Sequence, residues 1–253
     1  MPETNIIARY LPNFLFILLR AGIFLTMVPF FSSKNFPVQF KIGFAIALAA
    51  VLTPVVDFRP QEGSIPVLVF REFILGMTLG LAVRFVFLAF EMAGQVMSNV
   101  MGLSIATVFN PEFGQSTEVA RLQGIIAMLL FLALDAHHDL IYVFVRSYDL
   151  VPAGRIDIRN LMTEGIGLGG RVFVIALKIA APVTVAMVIT NLLLGFLYKA
   201  APQMNIFFVS FPIFIVVGYL IMLISVPVLL HVMTGYFGEI RDEMSRILAL
   251  AKG

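Results

Sequence analysis

Apolar residues along this chain gather into six blocks: Leu11 to Phe31, Ile42 to Val56, Pro66 to Phe90, Gly124 to Val145, Val172 to Leu197 and Ile206 to Met233. Runs of about 15 to 28 such residues suit helices in a bilayer, whereas barrel strands would alternate over about ten. At 1.5 Å per residue, five blocks match a hydrocarbon core of about 30 Å, and the second reaches only about 22 Å. That second block is not expected to span alone. The pattern predicts an all-α integral membrane protein, read as a single domain over residues 1–253.

The joints carry their own signals. Glu91 to Gln123 is semi-polar and rich in Gly, Ser and Met. Arg146 to Arg171 holds seven charges that nearly cancel. It reads as a solvated connection, with Pro152 and the glycines Gly165, Gly167, Gly169 and Gly170 marking turns. Residues 235–253 place Phe237, Ile240, Met244, Ile247, Leu248 and Ala251 at helical spacing, opposite Glu239, Arg241, Asp242, Glu243 and Arg246. This predicts an amphipathic C-terminal helix lying on a membrane or a partner. Pro182, Pro212 and Pro227 are expected to kink the last two blocks.

Composition agrees with the pattern: 60% of residues are hydrophobic and 13% charged, against roughly 45–50% apolar in soluble domains. Without cysteine, neither a disulfide framework nor a thiolate metal site is available. A net charge of +2, scattered along the chain, gives no argument for nucleic acid. The excess of Lys and Arg in short loops is too small to set an orientation. The N-terminal stretch has no basic cluster before its apolar run, so a cleavable signal peptide is not expected.

Charges inside the blocks sharpen the picture. Arg20, Arg71, Glu72, Arg84, Asp135, Asp139 and Lys178 lie within or at the edges of apolar sequence. A central Arg, Lys or Asp costs about 2.5–3.5 kcal/mol on insertion scales, so most of these must face protein or water. Snorkelling from block ends is the competing account for Arg71, Glu72 and Lys178. The run DAHHD sits near the middle of its block, which predicts either a helix break or two short helices in a protein-lined environment. Asp135 and Asp139 share a helical face, an arrangement that a proton or cation site uses. Beside that reading stands a capped turn in a buried polar junction formed by Asp135, His137, His138 and Asp139. Adjacent His137 and His138 should diverge by about 100° on an ideal helix, which argues against one shared metal ion. No catalytic motif is complete: there is no HExxH, P-loop or dinucleotide fingerprint, and GLSIA lacks the last glycine of a nucleophile elbow. Neither enzymatic activity nor a cofactor is expected.

Gly94, Ser98, Gly102 and Ala106 recur every four residues, giving a helix face with almost no side chain along which a neighbour must pack. Met97 and Met101 offer adaptable apolar surface on other faces. Asn110-Pro111 is expected to stop this helix, Gly114 to permit a turn, and Ser116 or Thr117 to cap the next helix ahead of Glu118. Phe109 and Phe113 flank the break and could block a water-filled cavity.

Two runs resemble a known family. PEFGQSTEVARLQGIIAMLLFLALDAHHDLIYVFVRSYDLVPAG contains His137-His138 followed by Ser147, Pro152 and Gly154, and APVTVAMVITNLLLGFLYKAAPQMNIFFVSFPIFIVVG contains GFLYKAAPQMNIF with Phe211, Pro212, Ile215 and Gly218. Both resemble the FliR family of flagellar biosynthesis proteins and its injectisome counterparts, and the likeness in block layout covers nearly the whole chain. Where the family more often shows Asn-Gly-His, this chain has Asp135-Ala136-His137. The resemblance implies long bent helical hairpins assembled into a helical multi-subunit export gate. FliP-like and FliQ-like membrane subunits would be its neighbours, with FlhB-like and FlhA-like export components nearby. It further implies a bacterial inner-membrane location at the flagellar basal body and unfolded proteins as substrates. It places a plug on the polar loop, residues 108–123, with Phe109, Asn110, Pro111, Glu112, Phe113 and Gly114 closing the conduit. Met97 and Met101 become candidate gasket residues, and Gly94, Ser98, Gly102 and Ala106 a subunit packing stripe. An ion-coupled secondary transporter using Asp135, Asp139 or His137 is the alternative, and the injectisome equivalent of the gate is another.

Overall fold

The computed structural model describes residues 3–32, 37–56, 64–104, 117–151, 157–203 and 205–252. Within them are nine helices and no strand: α1 (Glu3–Met27), α2 (Pro29–Ser32), α3 (Val38–Leu52), α4 (Ile65–Val100), α5 (Glu118–Ala133), α6 (Ala136–Leu150), α7 (Ile158–Ala200), α8 (Ile206–Ile224) and α9 (Val226–Ala251). Three stretches are long and apolar enough to cross a membrane by themselves, Tyr10–Met27, Ile65–Val100 and Ile158–Ala200, and the two broken pairs α5–α6 and α8–α9 raise the number to five. This is the all-α membrane architecture that the blocks predicted. As expected, the second block, α3, falls short of a span.

The chain divides into two compact units. One comprises Met1–Phe85, Asp135–Gly169 and Gly238–Gly253, and the other Val86–Leu134 and Gly170–Phe237. In the first, α3 returns against α1, and Phe31 stacks on Phe44 with ring centroids 5.2 Å apart. The first half of α4 lies along α1 in the same direction. Residue pairs advance together, from Arg20 with Glu72 to Met27 with Gly80. The two backbones come close because Gly76 and Gly80 carry no side chain: a Cβ at Gly76 would stand 3.1 Å from the Arg20 carbonyl oxygen, and one at Gly80 would stand 2.5 Å from Met27 Cβ. The sequence signal for this contact is Gly76-x-x-x-Gly80 in an apolar run.

On the same face, one turn before Gly76, lies Glu72, which is 1% exposed. Arg20 is fully buried and grips it with two hydrogen bonds, Nε to Oε2 at 2.6 Å and Nη2 to Oε1 at 2.9 Å. Nη1 donates to Ser147 Oγ at 2.8 Å, and the guanidinium sits 4.1 Å from the Tyr148 ring centroid. Phe24 stacks on Phe144 at 5.0 Å. Since Arg20 meets Ser147 while Phe24 meets Phe144, α6 runs antiparallel to α1. Three helices thus converge on one ion pair, and Glu72 is a buried partner of Arg20 rather than a snorkelling carboxylate.

The second unit is held by an aromatic cluster. Phe87, Phe90, Phe131 and Phe237 meet with centroid separations between 5.2 and 5.8 Å. Lys178 is exposed, and its Nζ donates to the Tyr236 hydroxyl at 3.4 Å.

Three expectations change. The solvated connection shrinks, because α6 extends to Leu150 and α7 begins at Ile158. Gly165, Gly167, Gly169 and Gly170 lie inside α7, not in turns. Each costs up to about 1 kcal/mol in a helix, but Leu161 before them and Leu168 among them are buried and hold that stretch in place. The apolar face of the C-terminal helix is also not left for a membrane or partner: Phe237, Ile240, Met244, Ile247, Leu248 and Ala251 are each no more than 3% exposed within the chain. Finally, the last block is not merely kinked but broken: α8 and α9 meet at 57° at Ser225, two residues before Pro227, while the helix stays continuous, with Pro182 inside α7 and Pro212 inside α8. Pro227 occupies the first turn of α9, where a missing N–H breaks no bond.

Removing one partner from a buried ion pair leaves an uncompensated charge, at a cost of about 3–5 kcal/mol. Arg20→Ala and Glu72→Ala should each sharply lower the thermal midpoint of the detergent-solubilised protein. Arg20→Met combined with Glu72→Leu should recover most of the loss, measured by size-exclusion after a heat step.

Candidate functional site

The plug residues Phe109, Asn110, Pro111, Glu112, Phe113 and Gly114, together with Ala106 of the stripe, lie outside the described residues. What the structure gives is the frame on either side of residues 105–116, all of it within the second unit.

On the N-terminal side α4 ends at Val100, well before the stop expected at Asn110-Pro111. Gly102 takes a left-handed conformation, φ +76°. Leu103 N–H donates to Ser98 C=O at 3.0 Å and Gly102 N–H to Asn99 C=O at 3.1 Å. This double bond pattern around a left-handed glycine is the Schellman C-cap, which satisfies the last carbonyls and turns the chain away. Gly102 therefore ends the helix and does not belong to a continuous stripe.

On the C-terminal side Thr117 caps α5, as the sequence suggested. Its Oγ1 accepts the Ala120 N–H at 3.4 Å, and Glu118 in the first turn complements the positive end of the helix dipole. Residues 118–123 of the expected polar loop belong to α5, which already begins at Glu118. Thr117 is also tied back to α4: its N–H donates to Gln95 Oε1 at 3.3 Å and its hydroxyl lies 3.4 Å from the same oxygen. Gln95 had not been singled out, and nothing in its local sequence marks it.

Between these anchors α4 and α5 run antiparallel, with Gly94 opposite Ala120 and Glu91 opposite Gly124. A Cβ at Gly94 would fall 2.6 Å from Ala120 Cα and 2.8 Å from the Val119 carbonyl oxygen, so the backbones touch. The stripe has its neighbour, as required, but at Gly94 that neighbour is α5 of the same chain rather than a sister subunit. Ser98 is fully buried, and its Oγ makes no hydrogen bond among the described residues; only its small size is used. Met97 and Met101 are 1% and 0% exposed, and Met101 fills the space over Gly218, its Cε 2.5 Å from where a Cβ would stand. They are interior side chains of this unit and present no gasket surface.

The DAHHD segment also differs from expectation. The helix does break, with Asp135 in a left-handed conformation (φ 53°, ψ 21°) between α5 and α6. After Gly, Asn and Asp are the residues that tolerate this conformation best. The junction is not buried: the side chains of Asp135 and His138 are 73% and 71% exposed, because the left-handed turn swings them outward. Asp139 lies 3.6 Å from Arg241, whose guanidinium covers the Tyr142 ring at 4.4 Å. Donor atoms of Asp135, His137 and His138 come within 4.8 Å of one another, closer than the ideal-helix divergence of two adjacent histidines implied.

A Cβ pressed into backbone costs more than a strained cap. Gly94→Ala should destabilise by about 1–3 kcal/mol or more and Gly102→Ala by about 1–2. Ser98→Ala should be neutral or slightly stabilising because it removes an unpaired buried hydroxyl. The order Gly94→Ala, Gly102→Ala, Ser98→Ala in thermal midpoints checks this.

Comparison with known proteins supplies what this geometry does not. The family model described as bacterial export proteins, family 1, matches residues 11–240. The flagellar biosynthetic protein FliR of Bacillus subtilis (strain 168) is 29% identical over 255 residues, covering 97% of this chain and 98% of that protein. FliR of Escherichia coli (strain K12) is 28% identical over 241 residues, 92% and 91% of the two chains. FliR of Aquifex aeolicus (strain VF5) is 27% identical over 221 residues, 85% and 86%. These names denote flagellar biosynthesis and indicate no catalytic activity. With the match running through nearly every described helix, this chain belongs to the bacterial export proteins of family 1, alongside the flagellar biosynthetic proteins named FliR.

Proposed function

We propose that this chain is a gate subunit for type III export of unfolded flagellar proteins, seated in the bacterial inner membrane at the flagellar basal body. The observation that carries the reading is its end-to-end similarity to proteins named for flagellar biosynthesis, within a family described as bacterial export proteins. Those names also favour the flagellar system over the injectisome.

The fold supports a role in assembly. Only about a third of α1's span and of α7's is buried within the chain, and half of α4's. Val38, Phe40, Val51, Phe173, Leu192 and Phe196 are among many large apolar side chains left more than half exposed. The internal charges at Arg20 and Glu72 are already paired, so that pair asks nothing of a neighbouring subunit. FliP-like and FliQ-like helices would cover them, with FlhB-like and FlhA-like components nearby. The segment from Phe109 to Gly114, held between the Gly102 cap and the Thr117 cap, would close the conduit, and energy for transport would come from elsewhere in the machine.

Co-expression with FliP-like and FliQ-like subunits should give a stable complex on sizing; a solitary folded monomer that ignores both would sink the gate assignment. In that complex, Phe109→Ala with Phe113→Ala, or deletion of residues 110–114, should raise the ion conductance of the closed gate at least several-fold. Unchanged conductance in reconstituted bilayers would remove the plug role while leaving the assembly role standing.

A further inference from the structure

The proposed export role assigns no task to the side chains of the first turn of α6, yet they concentrate metal-binding chemistry. We propose that Asp135, His137 and His138 form a site for a late first-row divalent metal ion, with Zn²⁺ as the reference ion.

One ligand atom from each of the three residues lies within 4.8 Å of the others. Zinc bonds to histidine nitrogen and carboxylate oxygen of about 2.0–2.2 Å place neighbouring donors roughly 3.3–3.6 Å apart. Small rotations of exposed side chains close that gap. Asp135 Oδ1 already stands 3.8 Å from His138 Nδ1, and the two imidazoles lie 4.1 Å apart, tilted by 40°.

The backbone creates the cluster. Asp135 holds a left-handed conformation that is uncommon for a residue with a side chain. It occupies the N-cap of α6, where an Asp normally accepts a backbone N–H. Here the carboxylate makes no capping bond and faces the histidines instead. Two imidazoles with one carboxylate suit zinc and its late first-row neighbours, not Mg²⁺ or Ca²⁺, which prefer oxygen donors. The positive end of the α6 dipole opposes a cation, and the Asp135 charge offsets it. Asp139 faces Arg241 at 3.6 Å and is not counted as a ligand, leaving the remaining coordination position to water.

The competing account of the same contacts is an ordinary His–Asp ion pair, and the experiment separates the two. Untagged full-length protein, with any subunits that co-purify, is titrated with Zn²⁺ against a chromophoric chelator. One Zn²⁺ per chain should bind, unaffected by a large excess of Mg²⁺. Asp135→Asn, which keeps the left-handed turn, and His138→Gln should each weaken binding at least about tenfold, while Asp139→Asn should not. Co²⁺ on the unsubstituted protein should show visible absorption of a four- or five-coordinate site, a readout that needs no variant to fold. Absence of saturable Zn²⁺ binding and of the Co²⁺ band, or binding retained in both ligand variants, would overturn the site and leave the ion pair. Neither result bears on the export role, which rests on similarity along nearly the whole chain and not on metal binding.

Discussion

A buried guanidinium needs its counter-charge and its hydrogen bonds supplied from within, and Arg20 receives both. Glu72 provides two parallel acceptor contacts, Ser147 a third and the Tyr148 ring an apolar cover. The pair requires α1, α4 and α6 to meet at one level, since desolvating either charge alone would cost several kcal/mol. It therefore selects a single register for three helices whose apolar surfaces would otherwise slide past one another. Gly76 and Gly80 let α1 and α4 come close enough for the short contact to form. The ion pair and the glycines are two parts of one interface.

The second unit uses the same economy of small side chains for another end. Gly94 brings α4 into backbone contact with α5, and Gln95 ties the start of α5 to the same stretch. The Schellman turn at Gly102 and the Thr117 cap then set where the intervening segment leaves and rejoins the helices. The helix ends on either side of residues 105–116 are thus two well-defined termini on neighbouring antiparallel helices.

Much of the architecture was legible in the hydropathy pattern. The apolar blocks marked the helices, the short second block its inability to span, DAHHD the break between α5 and α6, and Thr117 the cap of α5. The resemblance carried by His137-His138 and GFLYKAAPQMNIF was sufficient for the family, because those runs are specific and spread along the chain. Local patterns misled where a weak local preference was outvoted. Four glycines in α7 read as turns, but the buried Leu161 before them and Leu168 among them keep the helix intact. Met97 and Met101 read as surface, but they fill the interior.

What the sequence determined by itself was the type of the elements and the apolar stretches that they occupy, because burial of apolar length is a sum over neighbouring residues and needs no knowledge of partners. It also required that the embedded charges be sheltered. Only the tertiary structure decided who shelters them: that Arg20 finds Glu72, 52 positions away, that Gly94 faces Ala120 instead of a sister subunit, and that Asp135 and His138 turn outward. These outcomes depend on which helix faces meet, a choice made by packing between residues far apart in the chain, and a one-dimensional pattern carries no record of it.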